Sequence, residues 1–307
     1  MNIKIATFNL FQYCAPPFSW YFKKDKFNEN EWEKKKEWLN SQIESIDCDI
    51  IGFQEVFSQK ELQRQVKALG FKYFVTVDKP KLNENNETIF TTTTLALASK
   101  FPIKKVEKVT STLEGFNFSR EPIKALISLP NGIDITFYVN HFKSNRLNEF
   151  EHIFKKEDSV EYKKKKVFEL LDNLPSQKQR LQEASLLYSD FLKIETPIIS
   201  LCDLNDKEFS LTLDCLTNQT FHQKQEKNSF LLFDAFYLLN SDEKRVPTSY
   251  YKGVGNVLDY IHVSKEFRKE LGEVVSYKVW DEHLKQNKNG SLLQSDHAIV
   301  SCEISIY

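Results

Sequence analysis

The chain has 307 residues, with 42 Lys plus Arg against 43 Asp plus Glu, and a formal net charge of −1. That balance excludes a protein that binds nucleic acid or anionic membrane through its whole surface, and leaves a local basic cleft open. A hydrophobic share of 41% and only 8 Gly exclude a disordered chain and a Gly-rich or collagen-like one.

The first ten residues lack an apolar stretch before a small-residue cleavage site and read as a strand over 3–10. Residues 11–28 are irregular and ring-rich, with Pro16-Pro17. An amphipathic helix is expected over 29–46, with Trp32, Leu39, Ile43 and Ile46 at helical spacing and Lys34, Lys35 and Lys36 outside. A short strand follows at 49–53, then a helix at 59–69 stopped by Gly70, and a strand at 71–77. The polar stretch 81–94 reads as a loop. Strands are expected at 94–99, 123–129 and 133–140, the last two joined by a turn at Pro130-Asn131-Gly132.

Residues 148–180 are polar and Lys-rich, with Lys163 to Lys166 as a solvated helix face. A helix over 180–192 leads to a buried strand over 197–201. Further strands are expected at 257–263, 273–279 and 298–305. No repeat or Pro/Ser-rich linker interrupts this order, which fits one α/β domain over 1–307. No run of about 20 apolar residues predicts a transmembrane helix. Five widely spaced cysteines without a CxxC pair point to reduced thiols and a cytoplasmic location.

Polar residues gather where these strands end. Asn9 closes the first strand, and Glu55 follows Ile50-Ile51-Gly52-Phe53. His141 follows Phe137-Tyr138-Val139, and Asp203 and Asn205 follow Ile199-Ser200-Leu201. Asp259 lies inside an apolar run, and Asp296-His297 opens the last strand. Carboxylates, a carboxamide and imidazoles delivered by rigid strands suit a hard cation bound through oxygen, and acid–base work at a phosphate. Each also has a plain reading. Glu55 serves as a solvated carboxylate, Asn9 as a turn residue, and Asp203 with Asn205 as an Asx turn. Asp296 serves in a salt bridge. Asp203 and Asn205, two residues apart in extended chain, would point the same way. Asp259 fits a bare structural role poorly, because a lone buried carboxylate costs several kcal/mol, as an order of magnitude.

Eight segments in chain order carry a resemblance. They are Ala6-Thr7-Phe8-Asn9-Leu10, Gly52-Phe53-Gln54-Glu55-Val56, Ser99-Lys100-Phe101-Pro102-Ile103, Arg120-Glu121-Pro122, Asn140-His141-Phe142-Lys143-Ser144, Asp203-Leu204-Asn205-Asp206, Leu258-Asp259-Tyr260-Ile261 and Ser295-Asp296-His297. Together they span nearly the whole chain and resemble the endonuclease/exonuclease/phosphatase superfamily. That family includes pancreatic deoxyribonuclease, abasic-site endonucleases, neutral sphingomyelinases and inositol polyphosphate phosphatases. The resemblance implies a four-layer α/β/β/α sandwich, two stacked mixed sheets flanked by helices, with a cleft at one end.

It also implies roles. Glu55, with Asn9 and Asp296, resembles the site for Mg²⁺ or Mn²⁺. Asp203 resembles the base that takes a proton from water, and Asn205 the group that holds the water or phosphate. Asp259 resembles the partner that orients and charges His297, and His141 the histidine at the scissile phosphate. Arg120 and Lys143 resemble phosphate-side cations, although a surface ion pair and a plain surface lysine serve as well. Cys202 departs from the Gly usual before the Asp, and Gly permits conformations that Cys does not.

The implied activity is metal-dependent phosphodiester hydrolysis by a nuclease-type member, endo- or exonuclease, with DNA or RNA as partner. The Pro-Ala-Trp-Cys-Asp-Arg type segment of inositol polyphosphate phosphatases is absent. The alternative is a sphingomyelinase-like enzyme on membrane lipid, for which the ring-rich loop Phe11 to Phe22 would dip into the interface. A non-catalytic phosphate-binding module is the lesser alternative, weakened because every main position is filled. His152, His222, His262 and His283 match no motif.

Overall fold

Strands dominate the computed structural model, which describes residues 1–111, 113–144, 158–159, 161–162, 165, 175–208, 210–217, 232–239, 243–286 and 293–307. In chain order they are β1 (Asn2–Tyr13), β2 (Ser19–Trp20), β3 (Ile50–Val56), β4 (Tyr73–Val75), β5 (Leu82–Asn83), β6 (Asn86–Phe90), β7 (Thr94–Ser99), β8 (Ile103–Lys108), β9 (Ile123–Ser128), β10 (Asp134–His141), β11 (Ile198–Asp203), β12 (Phe233–Asp234), β13 (Ser249–Tyr251), β14 (Val254–Asn256), β15 (Asp259–Val263), β16 (Gly272–Trp280) and β17 (Ile299–Ile306). The helices that matter for the site are α1 (Glu29–Ile46), α2 (Gln59–Ala68), α3 (Pro175–Phe191) and α4 (Leu211–Thr217).

One six-stranded sheet runs β16-β17-β1-β3-β7-β4 and a second runs β12-β15-β11-β10-β9-β8. Both are mixed: β1 pairs parallel with β3 and β10 parallel with β11, among antiparallel neighbours. Alternation of side chains explains the layers. Along β1, Ile3 and Ile5 enter the core between the sheets, while Ala6, Phe8 and Leu10 face the other way. The second sheet repeats this, with Phe137 and Val139 inside and Tyr138 outside. Outside the first sheet lie α1 and α2, through Trp32, Leu39, Ile43, Leu62 and Val66. Outside the second lie α3 and α4, through Ala184, Leu187, Phe191, Leu213 and Leu216. The result is the expected four-layer α/β/β/α sandwich. Each fully buried large side chain contributes roughly 1.5–3 kcal/mol. At Gly52 the sheets leave no room for a side chain: an added Cβ would stand 3.0 Å from Val139 and 3.1 Å from Leu201.

α1 occupies the expected residues because Asn28 and Glu31 form a reciprocal cap: the Glu31 N–H donates to Asn28 Oδ1 at 2.9 Å, and the Asn28 N–H to Glu31 Oε2 at 2.8 Å. Lys35 corrects the reading of its polar face. It lies on the inner stripe with Trp32 and Leu39 and is buried, whereas Lys34 is exposed. The stretch 81–94 is not a plain loop: β5 and β6 form a three-stranded sheet with β2. β8 was not expected. Its Lys104, Lys105 and Lys108 mark a charged sheet edge rather than an alternating buried strand. α3 begins at Pro175, five residues early, because its first turn is polar and proline fits the first helical position. Lys163, Lys164, Lys166, His152 and His222 lie outside the described residues. No helix among the described residues is long and apolar enough to cross a membrane.

Candidate active site

The inner-face register of four strands ends in polar residues. Asn9 follows Ile3 and Ile5 at two-residue steps, and His141 follows Ile135, Phe137 and Val139. Asp203 follows Ile199 and Leu201, and Asp259 precedes Ile261 and Val263. Strand pairing sets His141 opposite Asp203, and Asp203 opposite Asp259. All four are buried, at 3% relative exposure or less. The apolar layer between the sheets is therefore capped by hydrogen-bonding groups.

His297 reaches this row from the start of the last strand. Its Nδ1 donates to Asp259 Oδ2 at 2.8 Å and stands 4.0 Å from Asp203 Oδ2. Burial works against its charged form. The Asp259 and Asp203 carboxylates outweigh that and hold the imidazole well above its usual range. His141 has the opposite fate. Its Nε2 stands 3.4 Å from Asp203 Oδ2, but burial, with Arg120 and His297 nearby, pushes it well below the usual range.

Asp203 joins the two sheets. Asn9 Nδ2 donates to its Oδ2 at 2.8 Å, and the Asn205 N–H to its Oδ1 at 3.0 Å. Burial, then the charge of Asp259, raises its carboxyl to about 7 against the pull of His297. Asn205 is not an extended neighbour pointing the same way. Its φ is 49°, the chain turns after Asp203, and Asn205 Nδ2 donates to the Phe142 carbonyl at 3.1 Å. Asx-turn geometry and a paired position at the site occur together here.

Two hydroxyls support this row. Ser295 Oγ donates to the Asn9 carbonyl at 2.6 Å and accepts from the His297 N–H at 3.0 Å. Thr248 Oγ1 accepts from the N–H groups of Leu258 and Asp259, at 3.0 and 3.1 Å. Serine and threonine recur throughout the sequence, so only the Ser295-Asp296-His297 motif pointed to either.

Glu55 lies within β3 rather than after it, at φ 59°. Phe11 and Gln12 opposite also hold positive φ, 47° and 62°. Non-glycine residues in this region cost about 1–3 kcal/mol each and persist where surroundings fix them. Here the fixing contacts are visible: the Phe11 N–H donates to Asn9 Oδ1 at 3.0 Å and the Gln12 N–H to Glu55 Oε2 at 2.9 Å. Burial and the neighbouring Asp296 charge raise the Glu55 carboxyl. Glu55 Oε1 has no hydrogen-bond donor among the described residues. Asp296 itself is exposed, and the open oxygen of Glu55 fits a hard cation with oxygen ligands. Asp203, Asp259 and His297 also bring ligand atoms within 4.8 Å of one another. Those atoms already bind each other through the Asp259–His297 bond, so the Glu55 side is the more open of the two.

Arg120 and Lys143 lie beside the His141 end of the buried row. They line a cavity of about 720 Å³ with Tyr21, Thr91, Thr92 and Thr93. Arg120 Nη1 donates to the Phe142 carbonyl at 2.9 Å. The described lining contains no carboxylate. Tyr21 and the threonines were not anticipated. The ring-rich loop holding Tyr21 mostly packs inward: Tyr13, Ala15 and Trp20 are buried, and Tyr21 and Phe22 are its exposed rings. Cys202 is an ordinary strand residue, absent from the positive-φ positions and paired with Asn140 and Tyr260. Glycine's freedom is not required there.

Two stacked mixed sheets, helices on both outer faces and a polar row at one end of the inner layer define the endonuclease/exonuclease/phosphatase fold. Solved structures carry it across the whole chain. The human Nocturnin catalytic domain with bound sulfate anion superposes at TM-score 0.62, with 17% identity over 100% of this chain and 95% of that one. An endonuclease/exonuclease/phosphatase from Bacteroides vulgatus gives 0.63, with 16% identity over 100% of both chains. A humanized D. rerio TDP2 gives 0.61, with 12% identity over 99% of both. No protein-family model and no curated protein matches the chain.

Proposed function

We propose that this protein is a divalent-metal-dependent phosphodiester hydrolase acting on DNA or RNA. The observation that carries the reading is the buried row Asn9–Asp203–Asp259–His297, with a carboxyl near neutrality beside a charged imidazole. Environments that push titratable neighbours apart are how a site assigns base and acid roles.

Asp203 accepts the proton of the attacking water. A carboxyl raised to about 7 is a stronger base than an ordinary one and still ionises near neutral pH. Asn205 holds the water or a phosphate oxygen. His297, kept cationic by Asp259, faces the charge that builds on phosphorus oxygens, and neutral His141 adds a hydrogen bond. Glu55, Asn9 and Asp296 would hold Mg²⁺ or Mn²⁺, which supplies charge neutralisation at the phosphate and its leaving oxygen. Arg120 and Lys143 grip flanking phosphate, and the exposed Tyr21 ring offers a base a stacking face. Packing of the 11–22 loop into the core supports a nucleic-acid substrate over a membrane lipid.

The test is a panel of supercoiled DNA, single-stranded DNA, RNA and sphingomyelin, with Mg²⁺, Mn²⁺ or EDTA. His297→Ala and Glu55→Gln serve as controls. Metal-dependent nucleic-acid cleavage that falls about 10²-fold or more in both variants is expected. Cleavage that persists in EDTA, or is unchanged in Glu55→Gln, overturns the reading. Cleavage of sphingomyelin alone moves the substrate to lipid.

A further inference from the structure

Two charged residues of α3, Arg180 and Glu183, stand one turn apart and are both buried, at 1% exposure. Neither has a part in the proton and charge steps proposed above. What they grip is the backbone of the loops around the cavity. Glu183 Oε1 accepts from the Ser119 N–H at 2.7 Å, and its Oε2 accepts from the Lys143 N–H at 2.8 Å. One carboxylate therefore bridges Lys143 and the residue before Arg120. Arg180 Nη1 donates to the Lys143 carbonyl at 3.2 Å, so one turn of α3 holds both polar backbone groups of Lys143.

The same turn reaches further. Arg180 Nε donates to Asp206 Oδ2 at 3.1 Å, in the loop that follows Asp203 and Asn205. Gln179 Nε2 donates to the Asn117 carbonyl at 2.8 Å, a second hold on the segment that leads to Arg120. The segments 117–120, 142–143 and 203–206 are thus pinned to one helix. Arg120 and Asn205 both donate to the Phe142 carbonyl between them, at 2.9 and 3.1 Å. A cationic head is only as well placed as the backbone beneath it. Hydrogen bonds to ionised groups are stronger than neutral ones, although burying the charge is costly.

We propose that Glu183 is a positioning residue for phosphate binding: its carboxylate sets the spacing of Arg120 and Lys143 on the cavity wall, and Arg180 fixes that pair relative to the Asp203–Asn205 turn. This rests on the reading of Arg120 and Lys143 as phosphate grips. In Glu183→Gln one acceptor oxygen becomes an amide donor. The Ser119 or the Lys143 N–H then loses its acceptor, and its loop moves. Charge alone predicts the opposite effect, because removing a carboxylate near two cations favours an anionic ligand. The sign of the change therefore separates positioning from bulk electrostatics.

Fluorescence anisotropy with single-stranded DNA and RNA oligonucleotides in EDTA, over a range of salt concentrations, reads binding without turnover. Arg120→Ala and Lys143→Ala are each expected to weaken binding and to lower the salt slope by about 0.7, the value for one phosphate contact on a single strand. Glu183→Gln is expected to weaken binding about tenfold and to lower the slope likewise. Added to the Arg120→Ala/Lys143→Ala double variant, it is expected to change binding no further, because its effect runs through those two side chains. Arg180→Lys keeps the charge but loses the fork that spans Lys143 and Asp206. It is expected to weaken binding in the same direction and serves if Glu183→Gln does not fold. Equal or tighter binding in Glu183→Gln, or a loss that persists in the double-variant background, overturns the role of Glu183 and leaves the phosphate grips standing. Absent binding in wild type, or unchanged binding in Arg120→Ala and Lys143→Ala, overturns the grips and the proposal with them.

Discussion

Replacing Asp259 by Asn removes one charge from the buried row and leaves its shape nearly intact. The Asp259–His297 bond is 2.8 Å between heavy atoms, which puts the two charge centres about 4 Å apart. At an effective dielectric constant near 20, unit charges at that distance interact by about 4 kcal/mol. That equals roughly three pKa units at 1.36 kcal/mol each. Asp203, 4.0 Å from the same nitrogen, keeps part of the pull in the variant. The expected net effect is a fall in the His297 titration, with burial driving it toward or below the usual histidine range. Asn also offers an amide donor to Nδ1, favouring the wrong tautomer. An analogous Asp→Asn change in a Ser-His-Asp triad lowers kcat about 10⁴-fold, so a drop of about 10²–10⁴ is expected here. Two measurements check this: histidine titration by NMR, and kcat on the phosphodiester that the panel identifies. An unchanged His297 titration in Asp259→Asn would refute the electrostatic reasoning. A changed titration with unchanged kcat would refute the role of a charged His297 in the reaction.

Two further predictions lie away from the proposed ion ligands. Cys202→Gly is expected to destabilise by about 1–2 kcal/mol, because it removes a fully buried side chain from a regular strand position and frees the unfolded chain. Urea unfolding measures this, and a stabilised protein or a tenfold gain in kcat would show that the position does need glycine's conformations. His262 is fully buried, neither ring nitrogen has a hydrogen-bond partner among the described residues, and burial holds it down at about 4 despite the pull of Asp234, 4.0 Å away. Between about pH 4 and 6.5 the unfolded chain binds a proton there that the folded chain does not, so stability rises with pH across that window and levels above it. The full span is about 3 kcal/mol. His262→Phe should flatten the rise by that order in urea titrations, and an identical slope in both proteins would contradict the assignment.

The sequence made the row legible because burial and alternation are local. Apolar residues at two-residue steps in β1, β10, β11 and β15 fix which face is inner, and the polar residue that ends each series inherits that face. Motif order supplied the rest, since pairing of His141 with Asp203 and of Asp203 with Asp259 depends on chain topology that alternation cannot supply. Lys35 was missed for a physical reason. Three successive lysines read as solvated because charged side chains are seldom buried, yet 32, 35, 39 and 43 are one helical stripe. The sequence left the turn at Asn205 as one of two readings, because an Asx turn and an extended pair share the same two residues. The cavity wall of Tyr21 and Thr91 to Thr93 needed tertiary structure, because β6 brings the second segment beside the first by pairing with β2.

These residues share one arrangement. Where the two sheets meet along their length, Gly52 lies against Val139 and Leu201 and the layer is mainly apolar. At the end of that same layer, the inner face must either stay apolar and meet water or turn polar. Asn9 donating to Asp203 ties one sheet to the other at that point, and Ser295 ties the last strand to Asn9. A polar end to the layer would hold the fold with neutral partners alone. It holds instead Asp203, Asp259 and His297, with charges whose burial is costly unless they act on one another. Stability by itself gives no reason to prefer ions there. A reaction that moves a proton and builds negative charge on a bound phosphate does give that reason.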